Sequence, residues 1–258
     1  MSLLLLLLLC WLGWAADAAG PTVSTSHGPV TGEVVTQNGT RVNVFRSIPF
    51  GAPPVGALRF RTPVPPTPWT TPRDVTPFGT SCPQLKIAGG LLVGAEDCLQ
   101  LAVYAPEGVS NAPVMVWIYG GAFILGDAWE FGIYDGTALA AATGHVIVAP
   151  NYRVGPFGFM ALPELQAEDA GHSTGNAAMQ DQVLALHWVQ DNIAQFGGDA
   201  SRVTIAGESV SERSARIHRP RFALRARNAQ MPRAYALSSR THVAHAWSHL
   251  ARERTGLW

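Results

Sequence analysis

The sequence is short of charge: Lys, Arg, Asp and Glu make up 14% of its 258 residues, against 47% apolar. A chain of that composition can bury a large core, so disorder is excluded as its overall state and one large domain is expected. It is equally short of cysteine, with three, and no cluster of histidine or cysteine accompanies them, which argues against a metal centre. Beyond the first residues no apolar stretch is long enough to span a bilayer as a helix. Internal repeats, heptads and a phosphate-cradling glycine loop are all missing, which removes solenoids, coiled coils and that mode of nucleotide binding. Two further scarcities divide the chain. Only Gly256 of the 26 glycines lies beyond residue 207, and only Glu212 and Glu253 of the 18 acids lie beyond Ser209. Eight basic residues and 16 acids precede that break, while ten basic residues, all Arg, and two acids follow it, so a formal charge of −8 gives way to one of +8. An abrupt change of this kind marks two segments of different character.

What is present at the N-terminus is a leucine run, Leu3 to Leu9, followed by Trp11 and the small-residue stretch Ala15 to Ala19. This has the form of a secretory signal peptide cut near Ala18, with an apolar core too short to span a membrane; because no Lys or Arg precedes the run, an uncleaved signal anchor is the alternative. Export changes the reading of the cysteines. Cys10 would leave with the signal, and Cys82 and Cys98 would remain as an even pair in an oxidising compartment. Paired, they close a loop of about 15 residues worth about 3 kcal/mol in the chain-entropy account; two reduced buried thiols are the alternative. Asn38-Gly39-Thr40 is a glycosylation sequon lying between two strand-like runs, where a surface turn is expected.

The pattern predicts strands at Val30 to Val35, Val42 to Phe50, Leu99 to Tyr104, Val114 to Tyr119 and His145 to Pro150, bounded by Gly and Pro. The continuous apolar character of the runs at Val114 and His145 is that of strands covered on both faces. Pro63 to Pro77, rich in Pro and Thr, reads as an extended surface crossing. Between Gly175 and Phe196 the period becomes helical, with Met179, Val183, Leu186 and Ile193 on one face and Gly197-Gly198 as the stop. A buried strand, Val203 to Ala206, follows, so the order is strand, helix, strand and then a glycine-flanked serine, the logic of a mostly parallel sheet with helices on both faces.

Gly207-Glu208-Ser209 directly after that strand is the first half of the G-x-S-x-G nucleophile elbow, in which a tight strand-to-helix turn projects the serine hydroxyl above the sheet. The fifth position is Ser211 rather than glycine. Such a tripeptide alone is most often a surface turn or a helix cap. Its weight comes from Tyr119-Gly120-Gly121-Ala122-Phe123 immediately after the Val114 strand, because acyl transfer needs backbone donors aimed at a developing oxyanion, and a glycine-rich loop in that place supplies them. On this reading Ser209 is the nucleophile and the N–H groups of Gly120, Gly121 and Val210 form the oxyanion hole. An ordinary Gly-Gly turn is the bland alternative.

The chain resembles the type-B carboxylesterases and cholinesterase-like proteins. The resemblance is carried by Phe45 to Phe50, Pro53 to Gly56 with Leu58 to Phe60, Glu96-Asp97-Cys98-Leu99, Tyr119-Gly120-Gly121, Asn151 to Gly155, Gly175-Asn176, Asp181-Gln182, Phe196 to Asp199 and Gly207-Glu208-Ser209, in the family's order from about Gly28 to Ser209. It implies an α/β-hydrolase fold, a Cys82–Cys98 disulfide closing the family's first small loop, and hydrolysis of small-molecule carboxylic esters through an acyl-serine, with no cofactor or metal. The organisation expected is a signal over 1–18, the N-terminal part of a carboxylesterase domain over 19–209 and a tail unlike the family over 210–258.

After Ser209 the resemblance stops, where the family continues Gly-Glu-Ser-Ala-Gly and later supplies an acid and then a histidine. The chain is therefore expected to lack a recognisable triad acid and histidine and to be incomplete after the elbow. The tail does contain His218, His242, His245, His249, Glu212 and Glu253, so the residue types exist, but a functional base must lie within hydrogen-bonding reach of Ser209 and be oriented by its own partner, and unaligned histidines are the bland case. Its arginines support only nonspecific attraction to phosphates, so no nucleic-acid partner is expected, and the tail is expected to be disordered. Neither the identity of the ester nor an oligomeric state follows from these residues. Two other readings remain open: a non-catalytic cholinesterase-like binding protein, against which Ser209 counts, and an unstable fragment without function.

Overall fold

The computed structural model describes residues 20–85, 90–169 and 172–209. The expected signal over 1–18, the tail over 210–258 and Val210 lie outside the described residues.

The first strands follow from local turn chemistry. β1 (Thr22–Ser24) and β2 (Pro29–Thr31) pair antiparallel, and β3 (Glu33–Gln37) and β4 (Thr40–Pro49) form a hairpin whose two turn residues, Asn38 and Gly39, have φ of 49° and 80°. Such a two-residue turn needs positive φ at both positions, which Asn-Gly supplies. The expected single strand from Val30 to Val35 is thus two. It breaks at Gly32, where a Cβ would stand 2.4 Å from the Val44 carbonyl oxygen, so only a bare backbone passes β4 there. β5 (Arg73–Asp74) joins β1 and β2 in a small sheet within the Pro-rich crossing, and β6 (Gln84–Leu85) pairs with β7 (Leu92–Val93). Cys82 and Cys98 are bonded and fully buried, with Gln84 between them in the chain.

β8 (Gln100–Pro106), β9 (Ala112–Ile118), α1 (Thr137–Thr143), β10 (Val146–Pro150), α2 (Gly155–Phe159), α3 (Pro163–Glu168), α4 (Ala177–Asn192) and β11 (Gly198–Gly207) complete the described chain. The main sheet has the order β11-β9-β10-β8-β4-β3. Its β3–β4, β4–β8 and β8–β10 pairs are antiparallel, and its β10–β9 and β9–β11 pairs are parallel. The sheet is therefore mixed over the described residues rather than mostly parallel. A two-residue turn leaves a hairpin no choice but antiparallel pairing, and parallel pairing begins only where crossover helices enter, α1 before β10 and α4 before β11.

Helices cover both faces, as expected, and the two-residue period of the strands shows why. Leu101, Val103 and Ala105 of β8 face a core shared with Ala185, Leu186 and Val189 of α4, while Ala102 and Tyr104 face Leu139 and Ala140 of α1. An irregularity in β4 between Phe45 and Ile48 turns both of these side chains to the α4 face. In α4 the inward side differs from the apolar stripe read from the pattern. Met179 and Val183 are half-buried, and the buried positions include Asp181, Gln182 and Asn192 beside Ala178, Ala185, Leu186 and Val189. The reason is Arg153, 2% exposed, whose guanidinium makes two bonds to Asp181, Nε to Oδ2 at 2.8 Å and Nη2 to Oδ1 at 2.7 Å. A buried cation needs a buried acid, and α4 turns toward it. The helix passes through the turn Ile193–Phe196 and stops at Gly197, whose φ is 81°.

Candidate active site

β9 and β11 run parallel and in step, with Ile118 opposite Gly207, so both segments leave the sheet at the same end of the strands, side by side. Two segments 89 positions apart meet there for that reason. Ser209 follows β11 in the left-handed region, at φ 58°, with its residue exposed. That conformation costs a non-glycine residue about 1 kcal/mol or more and persists only where the surroundings hold it. Opposite lies Gly120, at which an added Cβ would stand 3.0 Å from the Glu208 carbonyl oxygen and 3.4 Å from the Ser209 Cβ. Any side chain at 120 would therefore press on the Glu208 carbonyl, the backbone that leads into the serine.

The loop after β9 coils on itself. Gly121, Ala122, Phe123 and Gly126 have φ of 118°, 54°, 64° and 108°, and the Gly121 carbonyl accepts from the N–H groups of Ile124 at 3.0 Å and Leu125 at 3.2 Å. Among the described residues no acceptor meets the N–H of Gly120 or Gly121. The segment Asn151 to Gly155 braces this loop from below. Gly155 N–H donates to the Phe123 carbonyl at 2.7 Å, and the Asn151 side chain accepts from Ala128 N–H while donating to the carbonyls of Thr80 and Cys98. Tyr119 and Tyr152 stack at 4.2 Å and exchange bonds, each hydroxyl donating to the other's backbone carbonyl, at 2.7 and 2.9 Å. Tyr134 donates to the Glu208 carboxylate at 3.1 Å and so ties down the residue before the serine.

These phenols carry a pH consequence. Burial first, then the neighbouring Glu208 carboxylate, pushes Tyr134 well above the ordinary phenol value of about 10, and burial followed by Tyr152 does the same to Tyr119. The unfolded chain ionises both near the ordinary value while the folded one keeps its protons, so stability is expected to fall as pH rises above about 10. Urea unfolding at stepped alkaline pH measures it, and Tyr134→Phe should make the fall shallower.

Of the residues singled out in the sequence, Ser209, Gly120 and Gly121 share the C-terminal end of the parallel strands, and Asn38 lies in the exposed β3–β4 turn far along the chain from them. No histidine bonds to Ser209 among the described residues. His145 immediately precedes β10 and so lies at the opposite end of the parallel strands from Ser209, and His27 faces Ser26 at 3.0 Å. His218, His242, His245, His249, Glu212 and Glu253 lie outside the described residues. Among the described residues no group of three or more His, Cys, Asp or Glu is placed to hold a metal. Sequence reasoning missed Tyr134, 74 positions from Glu208, and Gln84, because neither carries a local pattern. Asn151 stands out in the sequence only as part of the longer string Asn151 to Gly155.

A family profile described as Carboxylesterase family matches residues 19–219. Liver carboxylesterase 1 of Oryctolagus cuniculus is 40% identical over 222 residues, 79% of this chain and 38% of that protein. Para-nitrobenzyl esterase of Bacillus subtilis (strain 168) is 44% identical over 194 residues, 73% of this chain and 38% of that protein. A solved structure named thermophylic PNB esterase superposes with a TM-score of 0.66 at 43% identity, covering 75% of this chain and 39% of the other. The chain thus spans about 38% of the length of the relatives it matches.

Proposed function

Since the chain belongs to the carboxylesterase family, with an α/β-hydrolase fold, we propose that it carries the acyl-transfer half-site of a carboxylic ester hydrolase, with Ser209 as nucleophile and a small-molecule ester as substrate. The observation that carries this reading is the serine at φ 58° against the bare backbone of Gly120. In the reaction the Ser209 Oγ attacks the ester carbonyl carbon, and the carbonyl oxygen takes the negative charge. The N–H groups of Gly120 and Gly121, with that of Val210, hold this oxyanion; the tetrahedral species then expels the alcohol and leaves an acyl-serine, which water hydrolyses. A general base takes the hydroxyl proton in such chemistry, and the described residues bring none to Ser209. Oxyanion stabilisation and binding without a complete triad still leave about 10³–10⁴-fold over water, which sets the scale expected of this part of the machinery.

Export and glycosylation at Asn38 belong to the same reading. They are supported by the leucine-rich start of the sequence, the exposed turn that carries Asn38 and the Cys82–Cys98 bond. Among the described residues no helix is long and apolar enough to cross a membrane.

A fluorophosphonate probe tests the proposal, because it forms a bond only to an accessible, polarised serine oxygen. The purified chain should take up probe slowly at Ser209, shown by peptide mass, and Ser209→Ala should abolish the uptake. Uptake unchanged in Ser209→Ala, or none in the original chain, would show that this serine is not a nucleophile.

A further inference from the structure

Gln84 lies outside every motif that led to the site, yet its side chain reaches the loop after β9 across the chain. It is buried, and its amide grips both backbone groups of Gly126: Oε1 accepts from the Gly126 N–H at 2.7 Å, and Nε2 donates to the Gly126 carbonyl at 2.9 Å. Nε2 also donates to the Cys82 carbonyl at 3.1 Å, so the amide is anchored beside the buried disulfide. The next residues are held from the same side, with Ser81 Oγ donating to the Asp127 carboxylate at 2.8 Å.

What Gln84 holds is in turn pressed against the donors. Gly126 has φ 108°, and a Cβ there would stand 2.7 Å from the Gly120 carbonyl oxygen and 2.7 Å from the Tyr119 ring. The Gly120 carbonyl and the Gly121 N–H belong to one planar peptide and point in opposite directions. Fixing the oxygen therefore fixes the direction of the N–H. We propose that Gln84 is a positioning residue for acyl transfer, aiming the Gly121 N–H at the oxyanion through its two-sided grip on Gly126. This rests on the proposed role of Ser209 and Gly121. It gives the Cys82–Cys98 loop a part in the chemistry, as the frame that keeps Gln84 in place.

The test measures phosphonylation of the whole chain by a fluorophosphonate, separating the apparent affinity for the probe from the rate of bond formation. A donor left poorly aimed weakens charge stabilisation in the transition state and leaves probe binding alone, so Gln84→Met should lower the bond-forming rate about tenfold or more, with affinity changed less than about twofold. Gln84→Glu supplies a second readout that does not depend on Gln84→Met folding. A protonated carboxyl can both accept from the Gly126 N–H and donate to its carbonyl, whereas a carboxylate only accepts and repels the carbonyl. The rate of Gln84→Glu relative to the unchanged chain at the same pH should therefore climb as pH falls from about 8 toward the carboxyl range near 4. Reaction at the original rate in Gln84→Met, or a flat relative rate in Gln84→Glu, would overturn the role of Gln84 while Ser209-dependent labelling stood. Labelling indifferent to Ser209→Ala would overturn both.

Discussion

Gly121→Ala is expected to slow the reaction of Ser209 with a fluorophosphonate by about 100-fold or more, the scale of losing one oxyanion donor. Two causes act together. At φ 118° an L side chain is strained whatever the space, and the space is occupied: a Cβ at 121 would lie 2.1 Å from the Leu125 carbonyl oxygen. That oxygen is backbone, part of the coil closed by the Ile124 and Leu125 N–H bonds to Gly121, so relief requires the coil to open and the 120–121 peptide to rotate. Gly39→Ala is the control. Its φ is 80° but nothing lies within 4 Å of the added carbon, and it sits in the β3–β4 turn. It should cost about 1 kcal/mol of stability and leave labelling unchanged. Equal labelling rates in the two variants would mean that the Gly121 N–H does not face the reacting centre.

Asp181→Asn is expected to destabilise the fold by about 3–5 kcal/mol, the cost of leaving a buried cation without its counter-charge. Asp181 is wholly buried and takes three bonds from Arg153, two from the guanidinium and one from the backbone N–H at 3.0 Å. The asparagine matches the shape, yet its amide nitrogen must face a donor, so the loss reports charge and bond polarity rather than volume. Arg153 Nη2 also donates to the Arg61 carbonyl at 2.9 Å, which extends the damage to the segment before the Pro-rich crossing. Replacing both partners, Arg153→Met with Asp181→Leu, should return most of the stability, since two apolar side chains need no pairing. Urea denaturation of the single and double variants measures it. A single variant within about 1 kcal/mol of the original would show that water reaches the pair.

A feature of this chain is legible in its sequence to the extent that its cause is local. The hairpin at Asn38-Gly39 was legible because two adjacent residues specify the turn. The runs that became β8, β9 and β10 were legible within a residue or two because apolar runs mark strands wherever they pair. Val30 to Val35 reads as one strand because the constraint that breaks it at Gly32 comes from Val44 and Phe45 on another strand. The inward face of α4 escapes the pattern for the same kind of reason: hydropathy ranks Asp181 as a surface residue, and only Arg153, 28 positions earlier, makes it a core one.

The site divides along the same line. Gly207-Glu208-Ser209 and Tyr119-Gly120-Gly121 could be named from the sequence because each is a contiguous string with backbone requirements of its own. The nucleophile candidate, the candidate donors and the strands that carry them thus follow from runs of adjacent residues. The folded chain alone shows that β9 and β11 lie adjacent and in step, that Glu208 meets Tyr134 and that Gln84 holds Gly126 against Gly120. Those are contacts between segments tens of positions apart, and they exist because strand pairing and the Cys82–Cys98 bond bring the segments together, which no local pattern of residues encodes.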